Sequence, residues 1–100
     1  MDLAKLKPGI TIILVLDGAG VDKLYVLDLK EEGLNGDKEI KLKSLTLHPD
    51  EEFTFCLFRD GWSLIGSDPM TGNPCYASSG PFYSFESALH TNWIDWKLSA

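Results

Sequence analysis

The sequence predicts an α+β fold, in which an antiparallel β-meander of five to six strands carries one C-terminal helix packed on one face. Three observations lead to this prediction. Residues 10–16 form a β-branched, leucine-rich run, residues 53–65 have the pattern of a hairpin, and residues 84–97 place apolar side chains at helical spacing. The chain has 100 residues, 44% of them hydrophobic, which is enough for one core. Residues 1–100 are therefore expected to form a single domain.

The first strand is predicted at residues 10–16, where both faces are apolar. The next segment, residues 22–30, has two interpretations. As a helix it would begin with Asp22 as N-cap and end at Gly33, and the fold would start as a βαβ unit. Its apolar side chains would then point all round the helix, whereas in a strand three of them share one face: Tyr25, Leu27 and Leu29. We therefore predict a strand.

The pattern of residues 39–78, in the middle of the chain, predicts further strands. Residues 39–47 alternate between apolar and polar side chains, but the phase switches at Ser44, which predicts a bulge or a sharp twist. Two apolar runs flank Asp60-Gly61, a favoured type I′ turn sequence, so we predict a hairpin in which Leu57 pairs with Leu64 and Cys56 with Ile65. Residues 74–78 are expected to form a short edge strand, because Pro74 has no amide for a ladder.

The C-terminal helix is predicted at residues 84–97, with Ser84 as its N-cap. At this length it would cross the sheet as a rod of ~21 Å. One apolar stripe would pack on the sheet; it consists of Phe85, Ala88, Leu89, Trp93 and Trp96. A single helix covers one face of the sheet and leaves the other face open.

The chain is acidic, with 15 Asp and Glu against 9 Lys and Arg and a net charge of −6. This balance argues against nucleic acid as a partner, because affinity for phosphates depends on clustered Lys and Arg. No apolar run approaches the ~20 residues of a membrane-spanning helix, so no membrane partner is expected. The two cysteines, Cys56 and Cys75, favour reduced thiols in a cytoplasmic protein over a disulfide between them.

Motifs that would indicate catalysis are incomplete. The glycine-containing turn at residues 17–20 has Lys23 where a dinucleotide fingerprint needs its third glycine. Cys56 lies between apolar neighbours in a predicted strand, which favours a structural role over that of a nucleophile. Residues that could bind a metal lack the closely spaced pair typical of zinc sites; they are His48, Cys56, Cys75 and His90. We therefore expect no catalytic residue, no cofactor and no metal.

The candidate binding site is the sheet face that the helix leaves open. In the predicted hairpin this aromatic face carries Phe53, Phe55, Arg59 and Trp62. An exposed aromatic surface beside an arginine is typical of protein interfaces, and it can also stack single-stranded bases.

The leading functional hypothesis is a non-catalytic protein-interaction or regulatory module, of the small acidic regulator or inhibitor type. Self-association as a homo-oligomer, in the simplest case a homodimer, would cover the aromatic face. A basic protein partner would also suit the acidic charge. The alternative hypothesis is single-stranded nucleic-acid binding through the aromatic face. A third hypothesis is a small-ligand pocket or an enzyme site under the helix.

Overall fold

One β-sheet contains most of the chain. The computed structural model describes residues 2–18, 20–32, 38–46, 49, 51–67, 70–72 and 74–100. A five-residue helix, α1 (Phe85–Leu89), precedes the last strand, and a short 3-10 helix (Leu3–Lys5) precedes the first. The strands are β1 (Thr11–Leu16), β2 (Gly20–Lys30), β3 (Lys38–Ser44), β4 (Glu52–Phe58), β5 (Gly61–Ser67), β6 (Pro74–Phe82) and β7 (Trp93–Ser99).

The strand order is β6-β5-β4-β3-β2-β1-β7, and every neighbouring pair is antiparallel. Strands β1 to β6 form a meander, and β7 then pairs with the free side of β1. The predicted antiparallel meander with one helix is confirmed. The predicted strand number, five to six, is too low, because the sheet described here has seven strands.

The seventh strand comes from the segment predicted as the C-terminal helix. Ser84 is the N-cap, as predicted, and its hydroxyl accepts a hydrogen bond from the Ser87 amide at 3.1 Å. The helix ends at Leu89, however, and residues 93–99 form β7. The helix prediction for residues 90–97 is therefore wrong. The physical reason is that β7 supplies backbone partners to β1, which would otherwise be an apolar edge strand.

The strand interpretation of residues 22–30 is correct, since they lie within β2. The predicted shared face of Tyr25, Leu27 and Leu29 is wrong, because Tyr25 is exposed opposite Lys43 whereas Leu29 lies opposite Ile40 of the core. Leu27 is an extra residue in the pairing with β3, so β2 contains a bulge between Val26 and Asp28. The phase switch predicted at Ser44 is the end of β3 rather than a bulge. Leu47, the last residue of the predicted strand, lies outside the described residues.

The predicted hairpin forms, but its register differs by two residues. Phe58 pairs with Gly61, so the loop is Arg59-Asp60 rather than Asp60-Gly61. Leu57 pairs with Trp62, not with Leu64, and Cys56 pairs with Ser63, not with Ile65. A shift of two residues keeps every side chain on its predicted face, because the strand period is two.

Gly61 explains why the register shifts. Its φ is +133°, and a Cβ at this position would lie 2.4 Å from the carbonyl oxygen of Phe82 in β6. Glycine is therefore needed at the start of β5, where β6 approaches closely, and not inside the loop.

Gly61→Ala is expected to destabilise the fold by about 2 kcal/mol or more, from a strained φ together with a backbone clash. Urea unfolding followed by circular dichroism measures this loss. Gly18→Ala is the matched control: its φ is +74°, but no atom lies within 4 Å of the added Cβ. We expect about 1 kcal/mol for the control, the cost of the positive φ alone. Equal losses in the two variants would contradict the proposed clash.

The sheet curls around α1. The helix packs against β5 through Phe85 and Trp62, whose ring centroids are 4.8 Å apart. It also contacts β7, where the indole Nε1 of Trp93 donates a hydrogen bond to Ser87 Oγ at 3.3 Å. In a flat sheet β5 and β7 would be ~24 Å apart, five spacings of ~4.8 Å, whereas a five-residue helix is only ~7.5 Å long. Contact with both is therefore possible only because the sheet is strongly curled.

The core lies on the concave face of the curled sheet. Leu6, from the N-terminal segment, and Phe85, from α1, join side chains that alternate along β1 to β5. The buried cluster consists of Leu6, Ile12, Leu24, Val26, Ile40, Leu42, Phe55, Trp62 and Phe85. Register pairs such as Ile12 with Leu24 confirm that these strand residues share one face.

Candidate functional site

The predicted aromatic face is the concave, covered face of the sheet. Phe55 and Trp62 are each only 4% exposed, and Phe53 is half-buried. Arg59 lies apart from them in the exposed hairpin turn. The prediction of an open aromatic surface is therefore corrected. A short helix inside a curled sheet covers aromatic side chains that a long helix on a flat sheet would have left exposed.

The residues predicted to pack the helix lie on two elements. Phe85 and Leu89 are on α1, as expected, and Phe85 is 1% exposed. Trp93 and Trp96 are on β7, where they pair with Leu16 and Leu14 of β1. Both tryptophans are half-buried and contribute to the concave face from a strand, not from a helix.

Cys56 and the histidines do not form a site among the described residues. Cys56 is fully buried in β4 on the convex face, next to Ser63 of β5. His90 is the C-cap of α1, and its Nδ1 accepts a hydrogen bond from the Asn92 amide at 3.1 Å. His48 and the side chain of Cys75 lie outside the described part of the structure. Within the described part of the chain, no three His, Cys, Asp or Glu side chains are grouped so that they could hold a metal ion.

A cavity of about 150 Å³ lies inside the curled sheet, beside the end of α1. Seven residues of the described part of the chain line it; six are apolar, and all seven are buried or half-buried. Among the described residues of the lining, Asp22 of β2 is the polar one, and it is 6% exposed. The apolar lining consists of Leu24, Phe53, Phe55, Leu64, Ala88 and Leu89.

Two hydroxyl groups orient the Asp22 carboxyl. Ser44 Oγ donates to Asp22 Oδ1 at 3.4 Å, and Thr46 Oγ1 donates to the same oxygen. Thr46 Oγ1 in turn accepts a hydrogen bond from the Lys23 amide at 3.0 Å, which directs its own proton toward Asp22. Neither hydroxyl uses Oδ2. No ion pair among the described residues involves Asp22.

A second feature is an exposed surface without charge along the edge strand β6. Residues 69–85 contain no charged side chain and no histidine, in a chain that is 24% charged. Residues 76–81 are all exposed, and Tyr83, just after β6, is 85% exposed. We call residues 76–81 together with Tyr83 the neutral strip.

Tyr76, at one end of the neutral strip, is positioned by a glycine. A Cβ at Gly66 of β5 would lie 2.5 Å from the Tyr76 ring, so the ring lies directly over this glycine. Tyr76 is nevertheless 51% exposed. Packing against Gly66 fixes one side of the ring and leaves the other side available to a partner.

The two edges of the sheet differ in charge. The β7 edge carries Asp95 and Lys97, and the Asp95 carboxyl accepts a hydrogen bond from the Trp96 amide at 2.8 Å. Charged side chains at an edge discourage contact with another strand. The β6 edge has no such protection by charge.

Sequence reasoning missed both features, although each left a signal. Asp22 has the same phase as Leu24 and Val26, which places its carboxyl on the apolar face of β2. The helix interpretation obscured this signal by treating Asp22 as an N-cap. The neutral strip could have been found from the run of seventeen uncharged residues at 69–85.

No helix in the described part of the chain has the length and apolar character needed to cross a membrane. Comparisons of the chain with protein-family models, with curated proteins and with solved structures give no match, so its function is argued from its own geometry.

Proposed function

We propose that the protein is a non-catalytic protein-interaction module that self-associates through the neutral strip. The observation that carries this proposal is an exposed, uncharged β6 edge on a chain of net charge −6. The proposal keeps the leading functional hypothesis but moves the binding surface from the buried aromatic face to β6.

The side chains of the neutral strip suit a protein interface. Interface cores are depleted in charge and enriched in tyrosine, because tyrosine contributes a large contact area with few rotatable bonds. The strip has a tyrosine at each end, Tyr76 and Tyr83, and small residues between them. It therefore offers two aromatic anchors on either side of a centre of small side chains.

Contact is expected through side chains rather than through an added strand. The pairing of β6 with β5 has three register shifts, so the outer edge of β6 is irregular. Bulged edges are poor templates for a further strand. The tyrosines and the small side chains between them therefore provide the interface.

Charge favours a second copy of the chain as the occupant. Two molecules of charge −6 repel each other over most of their surfaces, and this repulsion is smallest where neither contributes a charge. The neutral strip meets that condition for both molecules.

The spacing of the tyrosines is also self-complementary. Tyr76 and Tyr83 are seven positions apart, centred on Ser79-Gly80. Two strips related by a twofold axis at this centre would run antiparallel, and Tyr76 of each copy would lie opposite Tyr83 of the other. An interface of this kind uses the same patch on both molecules, as twofold dimers require.

Sedimentation velocity and light scattering, from micromolar to millimolar protein, test the proposal. We expect a reversible, concentration-dependent dimer. Tyr83→Glu should raise its Kd at least ~10-fold, about 1.4 kcal/mol, because a twofold axis places two new carboxylates in one interface. The fold should persist, since Tyr83 is 85% exposed.

Ile94→Glu is the matched control, because Ile94 is 62% exposed and lies on β7 at the opposite edge. It should leave the Kd unchanged within about twofold. A strict monomer at millimolar concentration would overturn the proposal. Equal weakening by both substitutions would show that net charge, not the neutral strip, controls association.

A further inference from the structure

We propose that the cavity beside α1 binds a small primary amine with an apolar body of about the size of benzene, and that Asp22 receives its ammonium group. This site is separate from the neutral strip and does not depend on self-association. The proposal rests on the cavity volume, on the apolar lining and on the placement of one buried carboxyl.

The volume sets the size of the ligand. An apolar cavity of ~150 Å³ is known to accept benzene. The cavity beside α1 is also about 150 Å³. Its walls come from strands β2, β4 and β5 and from α1, so a ligand would contact both the sheet and the helix.

The apolar lining favours a ligand whose body is apolar. Phe53, Phe55, Leu24 and Leu64 supply aromatic and branched aliphatic surface, and Ala88 and Leu89 close the side toward α1. Apolar ligands gain by leaving water for such walls. A fully polar molecule of the same size would lose its hydrogen bonds with water, and among the described lining residues it would find one polar side chain in return, Asp22.

Asp22 determines which polar group the ligand carries. Its Oδ1 accepts both hydroxyl hydrogen bonds, from Ser44 and Thr46, which leaves Oδ2 as the acceptor for a ligand. An ammonium group has three donors and the charge opposite to that of an ionised carboxyl. Glu39 and Glu86 are also buried, but neither lines the cavity.

The route to the carboxyl is short. Thr46, which donates to Asp22, is itself exposed just beyond the end of β3. Asp22 is 6% exposed, so the short side chain of Thr46 is what separates its carboxyl from solvent on that side. An amine would place its ammonium group at Asp22, on the side of Thr46, and its ring against the aromatic lining.

Calorimetric titration with three molecules of similar shape tests the proposal: benzylamine, benzyl alcohol and benzoate. We expect benzylamine to bind at least tenfold more tightly than benzyl alcohol, and benzoate not to bind. Intermolecular NOEs from the benzylamine ring to the Ala88 methyl would place the ligand. Equal affinity for benzylamine and benzyl alcohol would overturn the role of Asp22, and no binding of either would overturn the site.

Two substitutions and one control complete the test. Asp22→Asn should weaken benzylamine binding at least tenfold and leave benzyl alcohol within twofold. Ala88→Leu should abolish binding of both by filling the cavity, so the test stands even if Asp22→Asn unfolds the protein. Asp28→Asn removes an exposed carboxyl from the same strand and should change nothing. Equal weakening by Asp28→Asn would show attraction to the acidic surface instead of a site.

Discussion

Phe85→Ala is expected to cost about 3–5 kcal/mol of folding free energy, a large share of the ~5–15 kcal/mol typical of a domain. Phe85 is 1% exposed and is the residue of α1 that reaches the core. Its ring lies 4.8 Å from that of Trp62 and meets Phe55 edge-on at 5.9 Å. Removing it would leave a void in the middle of the curled sheet. Urea unfolding followed by tryptophan fluorescence measures the loss.

Two further variants distinguish the loss of core packing by Phe85 from a general effect of substitutions near α1. Phe85→Leu should recover part of the loss, because it keeps an apolar group in the same space. Tyr83→Ala, two residues earlier and 85% exposed, should stay within about 0.5 kcal/mol at low protein concentration. A loss below about 1 kcal/mol for Phe85→Ala would contradict its assignment to the core.

A chain that ends at Asn92, and so lacks β7, is expected to have no cooperative unfolding transition at room temperature. Ile12 and Leu14 are 0% exposed, and their β7 pairing partners are Leu98 and Trp96. Uncovering such side chains costs about 2 kcal/mol each, and Trp96 and Leu98 lose their own burial too. Added together, these losses of burial approach the whole free energy of unfolding of a small domain. Differential scanning calorimetry provides the measurement.

Adding β7 back as a separate peptide distinguishes the loss of this strand from nonspecific damage to the truncated chain. A peptide of residues 90–100 should recover a cooperative transition in the truncated chain, by pairing with β1 as an added strand. The same peptide with proline in place of Lys97, which would disrupt a ladder of this kind, should not. A truncated chain that alone retains nearly full stability would contradict the sheet order described here.

The sequence could predict most strands because their side chains alternate cleanly in long stretches. The sequence pattern predicts a helix instead of a strand at residues 93–97 because β7 contains one bulge. Ile94 is an extra residue opposite β1, so Trp93 and Trp96 share a face at a spacing of three. A spacing of three is also the spacing of one helical turn. The two tryptophans therefore produced a helix pattern inside a strand.

The same effect explains the ambiguity of residues 22–30. Leu27 is the extra residue of β2, which brings Val26 and Leu29 onto one side at helical spacing. Local pattern cannot separate a bulged strand from a helix, because the difference lies in the partner strand. The binding sites depend even more on long-range geometry: the cavity requires β2, β4, β5 and α1 to surround one space.

The pairing of β1 with β7 has a consequence for how the chain is made. Thr11 pairs with Ser99, 88 positions later. Strand β1, the first strand of the sheet to be synthesised, therefore cannot complete its pairing until β7 has been synthesised. Synthesis proceeds from the N-terminus at ~5–20 residues per second, and distant contacts form slowly. The meander of β1 to β6 can assemble from neighbours, but its apolar first strand stays uncovered on one side until β7 has emerged from the ribosome. The sheet is therefore completed only once β7 has been synthesised, and β1 is the segment that a chaperone would protect in the meantime.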